Sequence, residues 1–183
     1  MSSLAAPLLA ALALLATLTV TSSASALPLL TLSGSARGLY GSPTGDGDLN
    51  YYGPGVGLRL GVTLPGSLYL GGSFDYFFGE SDTVLNQDVS ASLLQLMGRV
   101  GYDLGLGPLT LRPQLGFGYA QSDSEIGPID SSNSNFVLAP GLEFTFGLGL
   151  LSIGAEASYN KVFADDEVEV DAIVLGLGLG FSI

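Results

Sequence analysis

The sequence predicts an all-β protein, a closed antiparallel eight-stranded transmembrane β-barrel that follows an N-terminal signal peptide. Three observations carry that expectation. Apolar residues recur at every second position in eight separate stretches, which is the period of a strand and not of a helix. The opposite face of each stretch is built mostly of Gly, Ser, Thr and Ala. Every charge within the stretches falls on that small-residue face, so the apolar face is free of charge.

Composition narrows the class further. Of 183 residues, 47% are hydrophobic and only 12% charged, with 27 Gly, no Cys, no His and a formal net charge of -12. That combination is unusual for a soluble domain, and the length suits one domain. Without Cys there is no disulfide, thiol nucleophile, Cys-based metal site or lipid-modified N-terminal cysteine. Without His the commonest general base is missing, so neither Ser/His nor Cys/His nucleophile systems can be assembled. The chain is therefore expected not to be an enzyme and to carry no cofactor. Its acidity argues against nucleic acid as a partner.

Residues 1–26 read as the signal: Leu4 to Val20 is an Ala/Leu-rich run, and Ala24, Ser25 and Ala26 form a small-residue cleavage site, leaving 27–183 as the barrel domain. Met1, Ser2 and Ser3 bring no Lys or Arg, so the terminal amine alone supplies the usual positive charge. The competing reading, an uncleaved anchor, meets a run of about 17 residues, the short end for a span.

The strands follow in order. Leu30 to Tyr40 is the first. Tyr52 to Leu64 is the second, with Pro54, Val56, Leu58, Leu60 and Val62 opposed by Gly55, Gly57, Arg59 and Gly61. Leu68 to Phe78, Leu94 to Leu104, Leu109 to Ala120, Phe136 to Phe146, Leu151 to Asn160 and Ile173 to Ile183 complete the eight. Three connections are short and rich in Gly or Pro, at Pro65 to Ser67, Gly105 to Pro108 and Gly147 to Gly149. Four are long and polar, at Ser42 to Asn50, Gly79 to Val89, Gln121 to Ser134 and Lys161 to Asp171. Short turns at one end and long loops at the other are the pattern of a bacterial outer-membrane barrel with both termini periplasmic.

Charges and rings sort by height. Arg37, Arg59, Asp75, Arg99, Asp103, Arg112, Glu143 and Glu156 lie on the inward face and sum to zero, while the long loops hold the remaining 13 acids and Lys161. Tyr40, Tyr52, Tyr76, Phe78, Tyr119, Phe136 and Tyr159 stand at loop-side strand ends, and Tyr102, Phe144, Phe146 and Phe181 at turn-side ends, predicting two aromatic belts. A soluble barrel would turn the greasy faces inward and leave an outer wall of Gly and Ser. Pro54, Pro113 and Pro140 lie inside strands, where each removes a ladder hydrogen bond; a bulge is expected at Pro140. Val168 and Val170 are out of phase with Ile173 onward, which predicts a strand continuing above the membrane with Glu169 and Asp171 pointing outward.

In the segments YGPGVGLRLGV (52–62), LRPQLGFGYA (111–120) and FVLAPGLEFTF (136–146), the chain resembles the small OmpA/OmpX-type eight-stranded outer-membrane barrels. The resemblance is compositional and covers the whole mature chain, about 157 residues. It implies an outer-membrane location and contact with outer-membrane lipid. Members of that family commonly end on an aromatic residue, whereas this chain ends Phe181, Ser182, Ile183.

An eight-stranded lumen is just wide enough for side chains to fill, so inward charges must pair. Counting from the turns sets Arg59 opposite Ser73 and diagonal to Asp75, and sets Arg112 diagonal to Asp103; Arg99 is left to find Glu143 or Glu156. The cluster reads as a structural plug, with an ion gate as the sharper alternative. The loops at Asp46, Asp48, Glu80, Asp82, Asp123 and Glu125, and the run Asp165, Asp166, Glu167, Glu169 and Asp171, read as a solvated acidic rim; that run is the candidate site for divalent cations, although it has no EF-hand spacing. The expected function is a non-enzymatic integral outer-membrane protein serving envelope structure or interaction with an extracellular partner. A narrow porin-like channel is the alternative, and a soluble secreted β-barrel binding protein the third reading.

Overall fold

The structure, a computed structural model, describes residues 30–44, 51–84, 87–126, 129–163 and 171–183. The proposed signal and the phase change at Val168 and Val170 lie outside them. The described chain forms nine strand segments: β1 (Thr31–Pro43), β2 (Pro54–Thr63), β3 (Leu68–Val84), β4 (Gln87–Tyr102), β5 (Leu104–Leu106), β6 (Leu109–Ile126), β7 (Ile129–Leu148), β8 (Leu151–Phe163) and β9 (Ala172–Ser182). Since β5 continues β4 past Asp103, these make eight staves. Every adjacent pair is antiparallel, and pairing of β4 with β6 and of β1 with β9 closes the sheet into a barrel.

The wall faces follow the alternation. Val56, Leu58 and Leu60 on β2, Leu115 and Phe117 on β6, and Leu175, Leu177 and Leu179 on β9 all point out of the barrel. A wall this apolar is stable only against lipid. Tyr40, Phe78, Tyr119, Phe136 and Tyr159 face outward at one end and Tyr102, Phe144, Phe146 and Phe181 at the other, while Tyr76 is half-buried against Phe78, with ring centroids 5.1 Å apart.

Tyr52 departs from the expected belt and is fully buried inside the barrel. The reason is local: β2 begins at Pro54, and Gly53, at φ 154°, breaks the alternation so that Tyr52 swings inward. Its ring lies over Gly41, where an added Cβ would strike the ring at Cδ1, 2.5 Å away.

The three short turns use left-handed backbone, with Gly66, Ser67, Gly107 and Gly149 at φ 81°, 69°, 71° and 78°. At the other end, two stretches expected to be loops are largely strand. Residues of Gly79 to Val89 and Gln121 to Ser134 extend β3 and β4, and β6 and β7, in ladders that reach Val84↔Gln87 and Ile126↔Ile129. Beyond the membrane a strand needs no apolar face, so the loss of hydrophobic alternation conceals the continuing backbone pairing. The expected bulge at Pro140 is absent. The β7–β8 register is the same at Leu138↔Lys161 and Gly141↔Ser158, and only the rungs between are missing.

Candidate functional site

The lumen is layered. Its loop-side half is packed with apolar side chains, among them Phe77, Leu93, Met97, Val137 and Val174. Buried polar groups in this layer are satisfied in series: Ser158 Oγ donates to Asn160 Oδ1 (3.1 Å), Asn160 Nδ2 to Gln95 Oε1 (2.9 Å) and Gln95 Nε2 to Tyr52 Oη (2.8 Å).

The charged layer lies below. Glu156, on β8, accepts from Arg37 Nη1, from Arg59 Nη2 (2.6 Å), from Arg99 Nη1 (2.6 Å) and from Gln114 Nε2 (3.1 Å). Glu143, on β7, accepts from Arg59 Nη1 (2.5 Å) and Arg112 Nη1 (3.1 Å). Asp75 accepts from Arg37 Nη2 (2.5 Å), Arg99 Nη2 (3.4 Å) and Ser73 Oγ (3.2 Å). Asp103, nearest the turns, accepts from Arg112 Nε (2.5 Å) and Nη2 (3.0 Å) and from Thr63 Oγ1 (2.7 Å). Four cations and four carboxylates thus form one connected neutral set.

The structure brings all eight inward charges together but assigns one pair differently. Arg59 does stand opposite Ser73, yet it reaches across the lumen to Glu143 and Glu156 and makes no ion pair with Asp75. Asp75 is taken instead by Arg37, because Gly57 lies between them in the row Arg37↔Gly57↔Asp75 and has no side chain to block the approach. An added Cβ at Gly57 would come within 3.2 Å of Arg37 Nη2 and closer still to the Asp75 carboxylate. Arg112 pairs with Asp103 and Arg99 with Glu156, within the expected choices.

Sequence reasoning passed over Tyr69, Gln95, Gln114 and Asn160, although all stand on the inward face. Tyr69 lies flat under Arg112, 3.7 Å from ring centroid to guanidinium carbon, in a cation–π contact. The space for its ring comes from Gly61 and Gly71, whose added Cβ atoms would both collide with it.

At the loop-side mouth, Asp171 forms a separate latch. Its carboxylate accepts from Tyr159 Oη (2.6 Å), Lys161 Nζ (3.2 Å) and the Val162 amide (3.1 Å), and its carbonyl accepts from the Thr44 amide (2.8 Å). Asp171 is therefore buried rather than pointing outward. Burial pushes its carboxyl up, but these donors outweigh that and hold it below the ordinary carboxylate range. The other cation candidates, Asp165, Asp166, Glu167 and Glu169, lie outside the described residues. Among the described residues no cluster of three or more metal-ligating side chains occurs.

A closed sheet with a lipid-facing wall, two aromatic belts and an ion-paired interior defines an integral membrane β-barrel. The chain belongs to the outer membrane protein β-barrel domain family, whose model matches residues 10–181, and it is an outer-membrane protein. A search of the curated proteins returned no match. Among solved structures, it is similar to Neisserial surface protein A (15% identity, 83% of this chain and 96% of that one, TM-score 0.55). It is similar also to Ail, the attachment invasion locus protein of Yersinia pestis (18% identity, 84% and 97%, TM-score 0.55). The N-terminal β-barrel domain of Pseudomonas aeruginosa OprF is a third (17% identity, 84% and 97%, TM-score 0.53). At these identities the likeness is one of fold.

Proposed function

We propose that this chain is a non-enzymatic outer-membrane barrel that presents a protruding sheet to a partner outside the cell, with both termini on the periplasmic side and no conducting path. The observation that carries the reading is the continuation of β3, β4, β6 and β7 beyond the loop-side belt. About six residues of each strand, at about 3.3 Å per residue, extend this sheet by about 20 Å.

Among the described residues its two edges are unpaired. The β2 ladder meets β3 no further than Gly55↔Phe77, and β8 meets β7 no further than Phe136↔Phe163. An unpaired edge is a template on which another chain can add a strand. The protruding segments carry Glu80, Asp82, Asp88, Asp123, Glu125 and Asp130, so they favour a basic partner. The apolar plug above the ion-paired layer supports the absence of conduction, and the lack of His and Cys supports the absence of catalysis.

Two measurements test this. Cells displaying the full chain should be retained on cytochrome c-coated surfaces and not on albumin-coated ones, and a variant lacking 80–90 and 123–132 should lose that retention. Equal retention of both would defeat the surface reading. In planar bilayers the refolded protein should give no stable conductance; reproducible openings altered by Arg59→Ala would establish the narrow channel instead.

A further inference from the structure

The turn-side half of the lumen is not filled. Below the charged layer a cavity of about 400 Å³ opens between the turns at Gly107 and Gly149, within the roughly 300–1,000 Å³ range of small-molecule sites. We propose that this vestibule binds a small, uncharged, polyhydroxylated solute of mono- or disaccharide size.

Three observations select that chemistry. The floor holds Arg37, Arg59 and Arg112 against Asp103, Glu143 and Glu156, which sum to zero and are all ion-paired. An ion entering this narrow, partly desolvated space would bring charge with no counter-ion to meet it, whereas a neutral solute faces no such penalty. The walls are lined with hydroxyl residues, including Ser35, Thr110, Thr145, Ser152 and Ser182, each able to donate and to accept, which matches a ligand whose own groups do both.

The third observation is unspent donor capacity at the floor itself. Arg37 and Arg59 are 7% and 3% exposed and line the vestibule, and the Nε–H of each is buried without a protein acceptor. A buried donor left unpaired costs about 1–3 kcal/mol; both Nε atoms are closed to the vestibule as the floor stands, so a hydroxyl oxygen recovers that penalty only where the guanidinium turns to meet it. The wall also shows space kept open: an added Cβ at Gly154 meets nothing closer than the Phe144 carbonyl at 3.5 Å. A larger residue fits there, yet the chain has glycine.

The test follows the side-chain Nε–H resonances of Arg37 and Arg59 by NMR in the refolded full chain, titrated with trehalose and, separately, with inorganic phosphate. Trehalose should move both resonances saturably and phosphate should not. Gly154→Leu, which fills the vestibule beside the Glu143 carboxylate, should abolish the trehalose response while keeping the heat-dependent gel mobility of a folded barrel. Ser152→Leu serves the same purpose should Gly154→Leu fail to fold. Resonances that stay unmoved by trehalose, that move equally with phosphate, or that keep responding in a folded blocked variant would each overturn the proposal.

Discussion

Glu143 and Glu156 stand directly opposite one another on β7 and β8, and Arg59, from the far wall, donates one guanidinium nitrogen to each at 2.5 and 2.6 Å. Two carboxylates in such register repel. Here the repulsion is converted into a two-pronged seat for a single arginine, which draws three strands together across the barrel.

Glu156 accepts from three arginines and a glutamine, Glu143 from two arginines. Glu156→Gln leaves the larger number of buried cations without their carboxylate. It should lower unfolding stability by about 3–5 kcal/mol, and Glu143→Gln by less. Urea unfolding of the refolded barrel in lipid checks the order, which the opposite ranking would refute.

Tyr52 and Tyr119 are equal in kind but differ in place, one fully buried in the lumen and one 65% exposed on the outer wall. Tyr52→Ala should cost about 3–5 kcal/mol through loss of a buried aromatic. Tyr119→Ala, measured in detergent, should cost a small fraction of that. Equal losses would return Tyr52 to the outer belt.

Two glycines separate close approach from open space. At Gly118 an added Cβ would collide with the Leu96 carbonyl and lie 2.8 Å from Met97 Cα, both backbone atoms of β4, so Gly118→Ala should destabilise by about 1–3 kcal/mol. Gly154→Ala meets only ordinary contacts and should stay within about 0.5 kcal/mol of the parent. Parallel denaturation of the two variants gives the comparison.

The Asp171 latch should depend on pH in one direction. Its carboxyl is held below the ordinary range in the folded protein, so the latch contributes fully above the unfolded value of about 3.9. That contribution is lost as pH falls through the lower folded value. The carboxyl carbon resonance of Asp171 should accordingly titrate below that of an unfolded reference, and Asp171→Asn should remove the latch's share of the acid dependence. A midpoint at or above the reference would contradict the geometry.

Much of the barrel is legible in the alternation because strand, lipid face and lumen face are all consequences of one period. Arg112 and Asp103 could be paired by counting from a turn, since short turns fix register. Arg59 could not: its partners lie across the lumen, and a count along the wall contains no term for a side chain long enough to cross it. Tyr52 was misread because alternation persists on paper through Gly53, whereas the backbone turns there. The protruding strands were missed for the opposite reason, that their pairing continues after the apolar signal stops.

Of the eight seams that close the barrel, seven join strands that are neighbours along the chain, from β1–β2 to β8–β9. The eighth joins β1 to β9, pairing Ser33 with Ser182. The β6–β7 hairpin runs unbroken from Leu109↔Phe146 to Ile126↔Ile129, so each rung brings the next within reach. Loop-closure entropy grows with the length of chain to be gathered. By that cost the β1–β9 seam is expected to zip last, closing a curved sheet whose two raw margins are its own first and last strands.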